Sequence, residues 1–192
     1  MSNQKEVEKA FKTAKKKFGY IDCLVNNASV FEYDSLKSVN SSSWNKHMSA
    51  NLDAPLTLSK LFFKNLPSKK SGDIINILDQ RVLNLTPHFL SYTISKSALW
   101  TLTKTLALEL APQIKVNAIG PGPVIKSKFQ TEKEFIKQCK KMPLQIGSNP
   151  NEIAQTVVFL LTIPSITGQL ITLDGGQHLG WGQVSNNIKL KD

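Results

Sequence analysis

Apolar positions along the chain follow two alternating rhythms. Near the N-terminus Val7, Ala10, Phe11, Ala14 and Phe18 recur at i, i+3, i+4, i+7 and i+11, the spacing of one helical face. This predicts a helix with that stripe turned inward and Gly19 as its C′ residue. Residues 21–25 form a short apolar run of strand length, stopped by Asn26 and Asn27. A second helix is expected to start among Asn40, Ser41, Ser42 and Ser43, which offer N-cap oxygens, and to reach about Leu66. After a turn at 67–72 comes a strand at 73–78, then a third helix over 91–110 that Pro112 stops. A strand at 115–119 is broken by Gly120, Pro121, Gly122 and Pro123, and residues 131–141 suggest a short basic helix. Asn149, Pro150 and Glu152 form an N-cap, N1 and N3 signature for a helix to about Thr162. A last strand at 169–174 precedes Gly175 and Gly176.

Helices that separate short apolar strands imply βαβ units. The expected fold is therefore α/β, a mostly parallel sheet with helices on both faces. One domain over 1–181 is expected, with 182–192 as a poorly ordered tail.

Composition narrows the partners. The chain has 192 residues, 41% hydrophobic and 20% charged, enough for folding to bury roughly 70% of the unfolded surface in a single core. No apolar stretch approaches the ~18–20 residues of a membrane span. The polar N-terminus carries no apolar leader, so export is not expected. Cys23 and Cys139 stand far apart in no metal-ligand spacing and read as free thiols in the cytoplasm. The net charge is +10, yet Arg81 is the single arginine, and Arg is the side chain suited to bidentate base and phosphate recognition. Lys12, Lys15, Lys16 and Lys17 lie off the apolar stripe of the first helix and read as a solvated face. Neither nucleic acid nor membrane is an expected partner.

In an open parallel sheet, ligands bind beyond the carboxyl ends of the strands. The residues there are Asn26 to Ser29, Asp79 to Arg81, Gly120 to Gly122, and Gly175 with Gly176. Each group alone is ordinary turn chemistry. Beside them Tyr92 and Lys96 share one helix face at i, i+4. A cation near a tyrosine favours phenolate and makes a usable proton donor and acceptor. His47 and His88 have no partner at metal spacing, and no metal is expected.

In this order and on these elements, the set resembles the short-chain dehydrogenase/reductase family. The match runs through Asn26-Asn27-Ala28 after a strand, Asn51 in the next helix, Tyr92-x-x-x-Lys96, Gly120-Pro121-Gly122 and Leu173-Asp174-Gly175-Gly176. The resemblance implies a Rossmann-type sheet and an NAD(P)H-dependent oxidoreductase acting on a small molecule. By it, Tyr92 is the general acid, Lys96 lowers its pKa and holds the nicotinamide ribose, and Asn51 anchors a water of the proton relay. Asn26, Ala28, Pro121 and Gly122 line the cofactor.

Two departures are similar to the pteridine-reductase branch. Asp79 stands where the family has Ser, and Asn-Asn-Ala-Ser followed by Val30-Phe31 replaces Asn-Asn-Ala-Gly. There Ser29 helps bind a pterin, Phe31 stacks on its ring, Asp79 assists protonation, and NADPH is the implied cofactor. Residues 176–181 also look like that branch's C-terminal end. The plain alternatives are Phe31 as core filler and Asp79 as a cap.

A third departure concerns the phosphates. No G-x-G-x-x-G occurs, and the one G-x-x-x-G-x-G spacing, Gly176, Gly180 and Gly182, runs into the expected tail rather than into a helix, although such a turn and the following helix hold a pyrophosphate. The chain is expected to be an N-terminally truncated member keeping the C-terminal, catalytic half of a doubly wound sheet, with two βαβ units on the order of 60 residues missing. The Asn-Asn-Ala strand would then become an edge. Three functional expectations follow: a reductase of a pterin or small carbonyl or imine; a non-catalytic binding or assembly module; or half of a split enzyme, completed by a separately encoded N-terminal fragment. Trp100, Thr103 and Ala107, off the main apolar stripe of the third helix, with Leu56, Phe62 and Phe63 on the second, predict a homo-oligomer through the helices around 41–66 and 91–110.

Overall fold

The computed structural model describes residues 4–127 and 130–180; Trp181 and the expected tail over 182–192 lie outside the described residues. Helix α1 (Gln4–Phe18) leads into β1 (Cys23–Asn26), α2 (Ser41–Met48), a π-helical turn (Ser49–Asp53) and α3 (Ala54–Asn65). Then come β2 (Gly72–Ile77), a 3₁₀ turn (Gln80–Val82), α4 (Leu90–Leu110), β3 (Ile114–Pro121), α5 (Glu132–Cys139), α6 (Pro150–Thr162), β4 (Leu170–Leu173) and a 3₁₀ turn (Gln177–Leu179). The caps follow the sequence signals. Asn40 and Asn149 each close a capping box on α2 and α6. Gly19, at φ 83, ends α1 by donating to Lys15 O.

The four strands pair in the order β1-β2-β3-β4, all parallel, with β1 at one edge. Alternation splits their side chains between two layers. Ile74 and Val116 meet Phe11 of α1, Phe62 of α3 and Leu106, Ala107 and Leu110 of α4. Ile75 and Ile119 meet Leu160 of α6 on the other face. The fold is thus α/β with helices on both faces of a parallel sheet. Two buried asparagines tie it together. Asn76 accepts from Asn26 Nδ2 (2.8 Å) and donates to Thr103 Oγ1 (2.9 Å), and Asn117 holds Ile166 O and Gln169 N ahead of β4. Lys115 on β3 caps the C-terminus of α6 through Leu160 O and Ile163 O and pairs with Asp73 at 3.2 Å. Among the described residues, no helix is long and apolar enough to cross a membrane.

Two inward faces differ from expectation. On α1, Val7 and Phe11 are buried, but Ala10 is exposed and Phe18 is 71% exposed. The helix leans mainly on α3, so its last turn passes beyond the core. On α4, Thr103 and Ala107 are buried in the chain's own core rather than turned outward. Sandwiched between the sheet, α3 and the π-helical turn, α4 buries a wider arc than one stripe. Half-exposed Trp100, with Lys104 Nζ 4.9 Å from its ring, and Leu108 mark its outer face.

Candidate active site

Strand β2 delivers Asp79 just past its carboxyl end. One carboxylate oxygen accepts from Arg81 N (2.8 Å), capping the 3₁₀ turn, and the other accepts from Tyr92 Oη (2.9 Å). Asp79 is therefore both a cap and a partner of the tyrosine. Tyr92 and Lys96 lie one turn apart at the head of α4, 6% and 2% exposed. Lys96 Nζ donates to Ile77 O (2.8 Å) and lies 5.9 Å from the centroid of the Tyr92 ring.

Asn51 sits in the π-helical turn between α2 and α3, an irregularity that often marks functional positions. It is fully buried and saturated. Its Oδ1 accepts from Val30 N (2.8 Å) and Ser29 Oγ (3.1 Å); its Nδ2 donates to Val30 O and Ser95 Oγ, both at 3.0 Å. Ser95 in turn donates to Tyr92 O (2.7 Å), so Asn51 links the loop after β1 to the helix bearing the tyrosine. Phe31 is 47% exposed, not core filler. Its ring meets Tyr92 edge-on, 4.7 Å between centroids at 74°, and stacks on Phe89 at 4.4 Å and 10°.

Asn26 is buried at the end of β1, Ala28 is exposed just beyond it, and Pro121 and Gly122 close β3. Gly122 must lack a side chain, because a Cβ there would stand 2.8 Å from Asp174 Cα and Cβ. Asp174 caps the closing turn through Gly176 N, His178 N and His178 Nδ1. Among the described residues, no cluster of three or more His, Cys, Asp or Glu side chains is placed to hold a metal.

The electrostatics depart from the expected pairing. Burial, then the charge and hydrogen bond of Asp79, push the Tyr92 phenol well above its ordinary value, while Arg81 pulls weakly the other way. The expected lowering by Lys96 is absent because the ammonium points to Ile77 O. Burial lowers Lys96 itself to about 8, with Asp79 opposing. The resting site thus holds a protonated phenol on a carboxylate, beside a cation close to its own titration. In Asp79→Asn both groups lose the Asp79 charge that raises them, while the larger effect of burial on each remains. Lys96 is expected to titrate below about 8 and Tyr92 to fall toward its ordinary range, read by side-chain carbon NMR and by phenolate absorbance against pH. A rise in either would mean that Asp79 is not the charged partner.

Several members of this cluster carried no local signal: Ser95, Phe89, Asp34 and His47. His47 is fully buried, its Nε2 accepting from Glu32 N and its Nδ1 donating to Ser43 O. Asp34 receives Ser91 N and Ser91 Oγ at the start of α4. A weak signal existed for Arg81, the chain's single arginine, two residues past Asp79.

A parallel sheet with a tyrosine, a lysine and an asparagine gathered at its carboxyl edge defines a class of Rossmann-type oxidoreductases. Residues 1–178 match the family model described as Enoyl-(Acyl carrier protein) reductase. The 3-oxoacyl-[acyl-carrier-protein] reductase FabG of Buchnera aphidicola is 31% identical over 185 residues, 93% of this chain and 75% of that protein. The chain belongs to the short-chain dehydrogenase/reductase family. Among solved structures it is similar to FolM alternative dihydrofolate reductase 1 from Brucella suis in complex with NADP, with a TM-score of 0.89 and 46% identity over 91% of this chain and 71% of that one. The Brucella canis protein, also complexed with NADP, gives a TM-score of 0.90 and 44% identity over 95% of this chain and 72% of that one.

Proposed function

We propose that this chain reduces a C=N bond of a flat, pterin-like substrate with NADPH. The observation that carries this reading is the setting of Tyr92, between the Asp79 carboxylate at 2.9 Å and the half-exposed face of Phe31. A proton donor beside an aromatic platform suits a flat ring whose nitrogen is protonated as its neighbouring carbon is reduced. The likeness to the two Brucella reductases complexed with NADP supports both substrate class and cofactor.

The residues present fit the nicotinamide end of such a cofactor. Asn26 Oδ1 is buried without a hydrogen-bond partner, and Ile77 O takes one of three N–H groups of the Lys96 ammonium. Asn26, Ala28, Tyr92, Lys96, Pro121 and Gly122 would hold it, and NADPH would supply the hydride. Tyr92 Oη gives its proton to the substrate nitrogen, Lys96 would hold the nicotinamide ribose, and a proton taken from solvent and relayed by way of the Asp79 carboxylate restores the phenol. Ser29 contributes a hydroxyl at the rim, and Asn51 fixes the loop that carries Ser29 and Phe31.

The purified chain with NADPH and a dihydropterin tests this by the loss of reduced-nicotinamide absorbance. Turnover of the dihydropterin is expected. Turnover of a small keto-thioester instead would overturn the substrate class. One feature favours a second reading, a binding or assembly module or one half of a split enzyme: among the described residues no Gly-rich turn leads from a strand directly into an α-helix. No turnover of either substrate would support it.

We also propose self-association through the outer faces of α3 and α4, where Trp100 is half exposed and Leu56, Phe63 and Leu108 are 45%, 48% and 84% exposed. Sedimentation is expected to give a dimer that Trp100→Glu converts to monomer. A parent monomer would count against this interface.

A further inference from the structure

We infer that Phe89 acts as a stand-in for substrate, its ring occupying the face of Phe31 that a flat heteroaromatic ring takes. Residues 83–89 must then carry it aside before such a ligand binds. The inference rests on the reading of the site given above, and names Phe89 as the residue that sets how readily, and for how flat a ligand, the site opens.

Three features of the closed arrangement point this way. First, Phe31 and Phe89 lie 4.4 Å apart at 10°, the near-parallel contact that a flat ligand makes on an aromatic platform, and this pair borders Tyr92. Second, Phe89 has φ 60 and ψ 54, left-handed backbone that a bulky residue seldom adopts. It stands at the N-cap of α4, where its side chain satisfies none of the helix's amides. Third, the Arg81 guanidinium lies 5.0 Å from the Phe89 centroid and 5.9 Å from that of Phe31. Its Nη1 ties Thr86 Oγ1 and His88 O, while its Nε is buried with no acceptor. The closed stack therefore places a left-handed, bulky residue beside an unpaired buried donor.

The surroundings limit that movement to the Phe89 side chain and the residues just before it, because Phe89 O accepts from Thr93 N (2.8 Å) and Asn84 Nδ2 donates to Gly180 O (2.8 Å). Asp34 anchors the first turn of α4, its backbone oxygen accepting from Leu90 N (3.2 Å) and its Oδ1 from Ser91 N (2.9 Å). Residues 85–88 are exposed, so displacement is confined to the segment before the anchor. Tyr33, edge-on to Phe89 at 5.3 Å, stays as a neighbour on the outer side. A site closed roughly nine-tenths of the time binds about tenfold more weakly than its open form.

Biopterin, followed through its own fluorescence, is the probe. Phe89→Asn and Phe89→Gly remove the ring, tolerate left-handed backbone and are good N-cap residues, so both variants should melt no earlier than the parent. Each is expected to bind biopterin about fivefold to tenfold more tightly than the parent. Phe31→Ala should abolish binding. If the parent binds biopterin and neither Phe89 variant binds it more tightly, Phe89 is a fixed wall and the inference fails while the pterin reading stands. If neither the parent nor the variants bind it, both fail.

Discussion

Tyr92→Phe is expected to lower NADPH-dependent reduction by about 10²–10⁴-fold, the usual contribution of a positioned proton donor. The substitution deletes one hydroxyl and keeps the ring that meets Phe31 edge-on at 4.7 Å, so ligand affinity should change little. The loss belongs in kcat rather than KM, because the proton moves only as the transition state forms. Freed of the phenol, Asp79 keeps its bond to Arg81 N and its role as a cap. Steady-state kinetics beside direct titration of the pterin separate the two effects. Near-parental kcat would remove Tyr92 as the general acid.

Asp34→Ala is expected to cost ~3 kcal/mol of stability, because it strips partners from Ser91 N, Ser91 Oγ and Ser43 Oγ at a site 2% exposed. In a domain of this size that corresponds to a fall in melting temperature of about 6–12 °C. The pH dependence has a definite sign. Burial works to raise the Asp34 carboxyl, but the hydrogen bonds from Ser91 and Ser43, helped by nearby His47, hold it below its ordinary 3.8. A carboxyl depressed on folding stabilises the protein above its unfolded pKa, and that contribution is lost as pH falls through the folded value. The gap between parent and Asp34→Ala should therefore be constant near neutrality and shrink below about pH 4. A gap that widened in acid would show that Asp34 is buried protonated. The site should suffer too, since Asp34 fixes the turn of α4 that presents Tyr92.

What could be read from the residues one after another was whatever depends on near neighbours. The capping boxes at Asn40 and Asn149, the stop at Gly19, the short apolar strands and the i, i+4 pairing of Tyr92 with Lys96 are all local, and each lies within a turn of where it was expected. The alternation of those elements was enough for an α/β fold, and motif order was enough for the family.

Other features arise only when distant segments meet. Asn51 read as a helix residue, yet it ties Val30, 21 positions before it, to Ser95, 44 positions after it, through a π-helical turn that no propensity announces. Thr103 and Ala107 looked like an outer face because periodicity counts one partner, whereas α4 is enclosed from several sides. The protonation of the site is likewise a tertiary property. Spacing alone put a cation beside the tyrosine, but folding turned that cation to Ile77 O and brought Asp79 to the phenol, so desolvation and a negative neighbour override the local pairing. Hydrophobic periodicity, caps and motif order are written in neighbouring residues, and they determined the architecture and the family. Burial and long-range contact exist only in the folded chain, and they decided which groups share protons, which rings stack and which faces stay open.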